Sequence, residues 1–242
     1  MTIGDGVLDP AFAAACEADS AEAWFEVAEL VAPNAYRLPL MRPEAAADLL
    51  ADIDTARDEY RAAGGRVVPP NSMHQHGAVL EDLDLGELCD AFLRGAVLPV
   101  SRHLFRDFHG DELDEHHGYL VEYGPNEDSE LGFHVDDSDV TLNLCLGDGG
   151  ADGRGFDGAE LTLMGLRCEL HRQTSVFNDE IVELDHLPGT AILHAGAHRH
   201  RVEPIRNGRR RNLILWCRAS QRRKGPRKLA CAPWCGMYAG TD

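Results

Sequence analysis

The chain has 242 residues, of which 44% are hydrophobic, so a disordered chain is excluded and there is room for one sizeable core or two small ones. Lys and Arg total 23 against 41 Asp and Glu, and the formal net charge of -18 argues against a broad nucleic-acid-binding face and against docking on anionic membranes. No apolar stretch reaches transmembrane length and residues 1–12 lack the pattern of a secretory signal, so a cytoplasmic location is predicted.

The first hundred residues are predicted to form helices. Residues 13–32 are rich in Ala and Glu and form the first predicted helix. Residues 43–63 begin with a proline suited to a first helical turn, carry apolar residues at helical spacing and end beside two glycines, which predicts a second helix. A third helix is predicted over residues 85–104, with Gly95 and Pro99 as the points where it would be interrupted.

From about residue 115 the segments become short, β-branched or alternating, and Gly, Asp and Asn divide them. Eight short strands separated by turn signals are typical of an antiparallel sandwich or barrel. The predicted strands are residues 118–123, 132–135, 140–146, 159–163, 181–184, 190–194, 201–204 and 212–218.

These patterns predict one α+β domain over residues 1–242. Its helical part covers about residues 1–110 and packs against one sheet, and its β-rich core covers about residues 115–218. The tail, residues 219–242, begins with the basic run QRRKGPRK and is expected to be a loose surface segment.

The seven cysteines are expected to be reduced thiols, as is usual for a protein in the cytoplasm. Cys231 and Cys235 lie close together in the segment CAPWC. Two ordinary thiols are the favoured interpretation, because a structural zinc ion would need two more soft ligands and the sequence contains no second close cysteine pair.

The segment GFHVDD contains the first candidate metal ligands. His134 and Asp136 would project to the same side of an extended segment, whereas Asp137 would face away. An imidazole and a carboxylate are two of the three ligands in the facial triad of non-haem Fe(II) oxygenases. The third must be a histidine from another strand, and the residues alone leave three options: His194, His198 and His200.

The residues after His200 resemble a known motif. His200 precedes Pro204 by four residues, Gly208 by eight and Arg210 by ten. This spacing is similar to the C-terminal motif of the 2-oxoglutarate- and Fe(II)-dependent oxygenases of the prolyl and lysyl hydroxylase type. It fails when it is counted from either of the other two histidines. The resemblance therefore implies that His200 is the third ligand.

The resemblance covers about residues 70–218 and implies a double-stranded β-helix (jelly-roll, cupin-like) core with N-terminal helices packed on one sheet. It implies that Fe(II) is held by His134, Asp136 and His200. It also implies that Arg210 binds the distal carboxylate of 2-oxoglutarate, since a guanidinium fits a carboxylate with two hydrogen bonds.

Two further residues are candidates for the cosubstrate pocket. In the resembling family a tyrosine at about the position of Tyr123 hydrogen-bonds 2-oxoglutarate, and an ordinary half-buried sheet tyrosine is an equally good interpretation. The strand at residues 140–146 places Thr141, Asn143 and Cys145 on one face, and Asn143 is the favoured pocket residue among them.

Trp216 is expected either to line the same pocket or to pack in the core. Arg209 and Arg211 flank the proposed carboxylate-binding arginine and would point to the opposite face of a strand. His194 and His198, when they are not the metal ligand, are interpreted more readily as surface or strand-end histidines than as residues of the site.

Two predicted loops are candidates for the rim of the site. Residues 147–158 contain six glycines and three aspartates, which cannot sustain a helix or strand. His74 and His76 lie in the segment NSMHQHG, which is poor in helix signals and is predicted to cover the mouth of the site.

The resemblance implies an oxygenase that hydroxylates an unactivated C–H bond of an amino-acid-like small molecule or a protein side chain and releases succinate and CO2. Dioxygen would be the co-reactant, and ascorbate a candidate reductant. The carboxylate of Asp136 favours hydroxylation, or a related oxidation such as desaturation, over halogenation, because related halogenases have a small residue at this position. The alternatives are a cupin-like metal-binding protein without turnover and an interaction module that kept only the fold. The sequence makes no prediction of oligomeric state.

Overall fold

Two antiparallel sheets face each other, and the main helices pack on the outer side of the larger sheet. The computed structural model describes residues 6–148, 155–224 and 230–238. The helices of these residues are α1 Pro10–Ala18, α2 Ala21–Val27, α3 Pro43–Ala62, α4 Gly86–Phe92, α5 Leu98–Leu104 and α6 Ser220–Arg223. The strands are β1 Glu29–Ala32, β2 Ala35–Pro39, β3 Ala78–Val79, β4 Glu115–Tyr123, β5 Leu131–His134, β6 Val140–Gly147, β7 Asp157–Gly158, β8 Leu161–Leu166, β9 Ile181–Leu184, β10 Thr190–Ala195, β11 His198–Val202, β12 Ile205–Asn207 and β13 Arg210–Arg218.

The major sheet has the strand order β1-β2-β10-β6-β13-β4-β3, and the minor sheet has the order β5-β11-β8-β9. Strands β12 and β7 form a separate short pair. Neighbouring strands in both sheets are antiparallel. This confirms the predicted sandwich. Strands β1, β2, β3, β7 and β12 were not among the predicted elements.

The alternation of side chains along the major sheet divides the core into two clusters. Leu142 and Leu144 of β6 belong to an outer cluster with Leu50 and Ile53 of α3. Apolar residues on the opposite face of the major sheet pack against the minor sheet and form the inner cluster, which includes Tyr119, Val121, Leu161, Leu163 and Ile192. The polar residues described below share this inner side, as the two-residue period of a strand requires.

The second predicted helix is confirmed, because α3 covers all but the last residue of the predicted range. The third is interrupted where Gly95 and Pro99 lie: a π-helical turn, Leu93–Val97, separates α4 from α5. Among the described residues no helix is both long enough and apolar enough to cross a membrane.

The single helix predicted over residues 13–32 is wrong. The chain leaves α1 at Asp19, which adopts a left-handed conformation, and Ser20 begins α2 by accepting a hydrogen bond from the backbone N–H of Ala23. The segment then turns at Asn34, which has a φ of 53°. Strand β1 precedes this turn and β2 follows it, and β2 pairs with β10, so this pairing overrides the helical propensity of the segment.

Two predictions for the second half need correction. The strand predicted over residues 201–204 begins earlier, at His198, and ends at Val202. The tail is not a loose surface segment over residues 230–238, because Cys235 is buried and the ring centroid of Trp234 lies 4.9 Å from that of Phe108. Residues 225–229 and 239–242 of that tail, and residues 149–154 of the predicted glycine-rich loop, lie outside the described residues.

Gly208 has a structural reason to be glycine. It has a φ of 72° and forms the turn that leads into β13. A Cβ atom at this position would collide with the backbone carbonyl of Gly155. The turn sets the start of β13 and therefore the position of Arg210, its first residue.

Candidate functional site

A cavity of about 190 Å³ lies between the two sheets. The minor sheet contributes His134 and His200 to its wall. The major sheet contributes polar residues from β4, β6, β10 and β13, and the loop at residues 71–74 lines the cavity as well. The major-sheet residues in this wall that the sequence had singled out are Tyr123, Thr141, Asn143, His194, Arg210 and Trp216.

The three predicted metal ligands come together at this cavity. Strands β5 and β11 pair with His134 directly opposite His200, and the two ring centroids are 4.0 Å apart. Asp136 lies two residues beyond the end of β5. Its Oδ1 atom is 3.7 Å from the Nε2 atom of each histidine. The potential ligand atoms of all three residues lie within 4.8 Å of one another.

Hydrogen bonds fix the tautomer of both histidines. His134 donates from Nδ1 to the carbonyl oxygen of Gly132 at 2.8 Å, and His200 donates from Nδ1 to the carbonyl oxygen of His198 at 2.9 Å. A neutral imidazole that donates from Nδ1 has a lone pair on Nε2. Both lone pairs therefore face the carboxylate of Asp136, and three electron-rich atoms in this arrangement are suited to hold a cation between them.

The pKa values agree with this assignment of protons. Burial, reinforced by the neighbouring His200, lowers the pKa of His134 to about 4, and burial also lowers the pKa of His200. Burial alone would raise the pKa of Asp136, but the surrounding histidines and a hydrogen bond keep it below its ordinary value. At neutral pH the site therefore presents two neutral imidazoles and one carboxylate.

Asp136 is oriented by residues outside the triad. The hydroxyl of Thr141 donates to Oδ2 of Asp136 at 2.7 Å, and the hydroxyl of Ser138 in turn donates to that of Thr141 at 2.7 Å. The backbone N–H of Asp136 donates to the carbonyl oxygen of Gly196 at 2.9 Å, and the N–H of Gly196 donates to the carbonyl oxygen of Asp139 at 3.1 Å. The contact with Thr141 engages Oδ2 and leaves Oδ1 facing the histidines, and the backbone contacts hold the segment in place.

Of the competing ligand candidates, Asp137 points away from the site and His194 lies beside it. The side chain of Asp137 is 70% exposed and pairs with Arg218 at 3.1 Å and with Arg223 at 2.5 Å. His194 lies near the end of β10 and His198 begins β11, as expected of strand-end histidines, but both are fully buried, so a surface position is wrong. His194 has its Nε2 atom 3.7 Å from Oδ2 of Asp136, but this atom has no hydrogen-bond partner within the described residues.

Arg210 is a buried cation at the other end of the cavity wall. It is 1% exposed, and the only carbonyl to which its guanidinium donates within the described residues is that of Ala159. Its Nε atom has no hydrogen-bond partner among the residues that the structure describes, and its guanidinium carbon lies 5.1 Å from the ring centroid of Tyr123. Burial lowers its pKa, although neighbouring groups that include Glu160 and Asp185 act in the opposite direction, and none of the ion pairs seen in the described residues includes it. A guanidinium in this setting is suited to an anionic ligand.

The flanking arginines point away from the cavity, as the strand period predicts. Arg209 pairs with Glu127, and Arg211 pairs with Asp54 of α3 at 2.7 Å. Only Arg210 of the three lines the cavity.

Tyr123 and Asn143 lie in the same cavity wall. The hydroxyl of Tyr123 is 3.5 Å from Nε2 of His74, and Asn143 accepts a hydrogen bond from Asn212 at 2.6 Å. Asn212 is also 3.2 Å from Nδ1 of His186. The loop prediction for residues 71–77 is confirmed for His74, which lines the cavity.

The sequence missed two contributions to the site. It placed Thr141 on the inner face but gave no sign that its hydroxyl would hold Asp136, because that contact depends on the turn between them. It did not predict that His194 would be buried beside Asp136. No sequence signal was available for it, because His194 lies on β10 of the major sheet whereas His200 lies on β11 of the minor sheet.

Comparison with known proteins relates the chain to oxygenases. Residues 3–110 match the family model described as an OGFOD2-like domain. Over 228 residues the chain is 38% identical to the 2-oxoglutarate and iron-dependent oxygenase domain-containing protein CP2 of Arabidopsis thaliana. The aligned region covers 94% of this chain and 56% of the relative. It is 37% identical to the similarly named ICU11 of the same organism, over 84% of this chain and 50% of the relative. The chain thus spans about half the length of these relatives.

The fold is shared with solved structures. A prolyl 4-hydroxylase from Phytophthora capsici superimposes with a TM-score of 0.57 at 17% identity, over 91% of this chain and 69% of that one. This similarity identifies the two facing sheets as the jelly-roll expected from the sequence.

Proposed function

We propose that the chain belongs to the 2-oxoglutarate- and iron-dependent oxygenase superfamily, in its prolyl- and lysyl-hydroxylase-like branch, and that it is an active oxygenase. It binds Fe(II) and 2-oxoglutarate and consumes dioxygen. It hydroxylates an unactivated C–H bond of an amino-acid-like small molecule or a protein side chain, with release of succinate and CO2.

We assign the iron to His134, Asp136 and His200. The observation that carries the proposal is the convergence of two Nε2 lone pairs and one carboxylate oxygen, all fixed by hydrogen bonds from behind. Two histidines and one carboxylate on one side of a metal are the donor set of non-haem Fe(II) oxygenases. The donor set fits iron because it leaves the remaining positions for cosubstrate and dioxygen.

We assign the distal carboxylate of 2-oxoglutarate to Arg210. A buried guanidinium without an anionic partner among the described residues is costly in the free protein, and a bound carboxylate removes that cost. Tyr123, whose ring lies beside this guanidinium, and Asn143 line the same cavity. When bound, iron and 2-oxoglutarate supply the oxidising chemistry, and the protein residues hold and orient both.

A cupin-like protein that binds a metal without turnover is less well supported. Such a protein would need the three metal ligands, but it would not need the buried Arg210 in the opposite wall of the cavity. The carboxylate of Asp136, which faces both histidines, supports hydroxylation over halogenation.

The first test measures 2-oxoglutarate turnover by the purified chain with Fe(II). Succinate formed in the presence of dioxygen, even without a substrate, is expected, and its absence from iron-loaded, folded protein would favour metal binding without turnover. Anaerobic titration with 2-oxoglutarate should produce the visible charge-transfer band of the chelated cosubstrate. Candidate free amino acids and peptides are then compared by mass spectrometry for incorporation of isotopically labelled oxygen.

A further inference from the structure

A second group of metal-binding side chains lies away from the cavity. Cys168 and His171 follow the end of β8, and Cys231 and Cys235 belong to the packed C-terminal segment, residues 230–238. None of the four lines the cavity between the sheets. The chain brings the two pairs together although about sixty residues separate them.

The four side chains converge on a common centre. Nδ1 of His171 lies 3.4 Å from Sγ of Cys168 and 3.5 Å from Sγ of both Cys231 and Cys235. The Sγ atoms of Cys168 and Cys231 are 4.0 Å apart, and all four ligand atoms lie within 4.8 Å of one another.

We propose that these four residues bind a structural zinc ion. Zinc bonds of about 2.3 Å to sulfur and about 2.0 Å to nitrogen in a tetrahedron place sulfurs about 3.8 Å apart and sulfur about 3.5 Å from nitrogen. The observed separations match these values. Three cysteines and one histidine are a common donor set for structural zinc, and thiolates favour zinc over the oxygen-preferring metals.

The separations do not correspond to a disulfide. A disulfide needs sulfur atoms about 2.05 Å apart, roughly half the distance between Cys168 and Cys231. It would also leave His171, which contacts all three sulfurs, without a role in the cluster. The four thiol and imidazole groups are instead arranged around one point, as four ligands of a single ion are.

The backbone supports the cluster as a built site. The N–H of Cys168 donates to Sγ of Cys235 at 3.4 Å, a contact that stabilises a thiolate. The N–H of Gly236 donates to the carbonyl oxygen of Leu166 at 3.0 Å, and Trp234 packs on Phe108. The C-terminal segment is therefore docked against the end of β8, with the four donors at the contact.

Zinc at this position would link the C-terminal segment to the end of β8, the strand next to the one that contains His200. Strand β8 pairs with β11, and Leu163 is opposite His200 in that pairing. A bound ion closes a loop of about sixty residues, which removes conformational freedom mainly from the unfolded chain. The ion would thereby stabilise the minor sheet and have no part in the oxidation itself.

The sequence interpretation of the cysteines as ordinary thiols overlooked this arrangement. A second close pair of cysteines was expected for zinc, whereas the second pair of ligands is Cys168 with His171, in the segment CELH. A cysteine and a histidine three positions apart in a turn can serve one ion as well as two cysteines can.

The first experiment measures zinc per chain in protein purified from zinc-supplemented cells and dialysed against a weak chelator. Asp136→Ala is used as the background, so that zinc cannot be held by the iron site. About one zinc per chain is expected, with a drop of about tenfold in Cys231→Ser and no change in the matched control Cys16→Ser. A background protein without zinc, or a Cys231→Ser protein that keeps it, would overturn the proposal.

The second experiment does not depend on whether the cysteine variants fold. X-ray absorption at the zinc edge of the Asp136→Ala protein should show three sulfur neighbours and one nitrogen neighbour. Cobalt(II) exchanged into the same protein should give the intense visible absorption of tetrahedral thiolate coordination. A shell of only nitrogen and oxygen neighbours, or a disulfide between any two of the three cysteines in the freshly purified protein, would contradict the site.

Discussion

The two sheets contribute opposite kinds of chemistry to one cavity. The minor sheet presents neutral imidazoles whose lone pairs converge with a carboxylate, and such a group needs a cation. The major sheet presents Arg210, a buried cation without an anionic partner in the described residues, and such a group needs an anion. A single small molecule that chelates a metal at one end and carries a carboxylate at the other satisfies both walls. The difference between the walls therefore indicates the cosubstrate more specifically than either wall does alone.

The largest effect is expected from Asp136→Ala. The variant should lose iron binding by more than the roughly 10–100-fold that removal of a supporting hydrogen bond typically costs, and turnover should be lost with it. The matched change Asp137→Ala removes exposed ion pairs worth about 0–1 kcal/mol and should leave both unchanged. Iron affinity and succinate formation are the measurements. Loss of activity in the Asp137 variant alone would move the carboxylate role to that residue.

The next largest effect concerns the opposite wall. Arg210→Ala should raise the KM for 2-oxoglutarate about 30-fold or more, since removal of one partner of a buried charge pair costs about 2 kcal/mol or more. Iron affinity should be retained. Arg209→Ala, whose side chain is 45% exposed and pairs with Glu127, is the control and should behave as the unmodified chain. Concurrent loss of iron binding in Arg210→Ala would show that the two walls do not act separately.

Thr141 belongs to the major sheet, but its hydroxyl contacts Asp136 of the proposed iron site. It therefore tests whether the two walls of the cavity act separately. Thr141→Val removes the hydroxyl that holds Oδ2 of Asp136 while it keeps the shape. Iron affinity should fall roughly 10–100-fold and the KM for 2-oxoglutarate should change little. Thr141→Ser, which keeps the hydroxyl, should restore iron binding. Equal loss in both variants would indicate a packing role instead.

The smallest effect is a pH dependence of stability that arises from His186, a buried residue beside Asn212 of the major sheet. Burial, followed by the charge of Arg210, lowers the pKa of His186 to about 3. Between about pH 6.5 and pH 3 the unfolded chain then binds a proton that the folded chain does not. The free energy of unfolding should therefore fall as the pH drops below about 6.5, by roughly 1 kcal/mol at pH 5.5 from this residue.

Urea unfolding of metal-free protein at pH 7.5 and 5.5 checks this expectation. His186→Gln keeps a polar group near Asn212 and has no proton to gain, so its loss of stability on acidification should be smaller than that of the unmodified chain. An equal loss in the two proteins would show that His186 does not remain neutral in the folded state.

Sequence reasoning succeeded where function depends on neighbours along the chain or on a fixed spacing. His134 and Asp136 are two residues apart at the end of one strand, so the strand period predicted that they would project together. Arg210 was separated from Arg209 and Arg211 by the same period, and their contacts with Glu127 and Asp54 agree with it. The choice of His200 required the resemblance, because strand alternation alone cannot rank His194, His198 and His200.

Sequence reasoning failed where tertiary contacts decide the outcome. Residues 28–39 have no strong strand pattern, yet they form β1 and β2 because β10 offers an edge to pair with. The start of β11 was misplaced because its register shifts at bulges against both neighbours. The clustering of Cys168 with Cys235 could not be read from spacing, since it depends on the C-terminal segment returning to the end of β8.

The crossing between the sheets at Gly196 has a consequence for how the cavity can open. Only Gly196 and Ala197 lie between β10 of one sheet and β11 of the other, and Gly196 is bonded through both its N–H and its carbonyl to the segment that contains Asp136. A side chain at position 196 would collide with the backbone of Ser138. The two sheets therefore cannot separate at this end. Entry of small molecules is then expected beside the loop at residues 71–74, which lines the cavity.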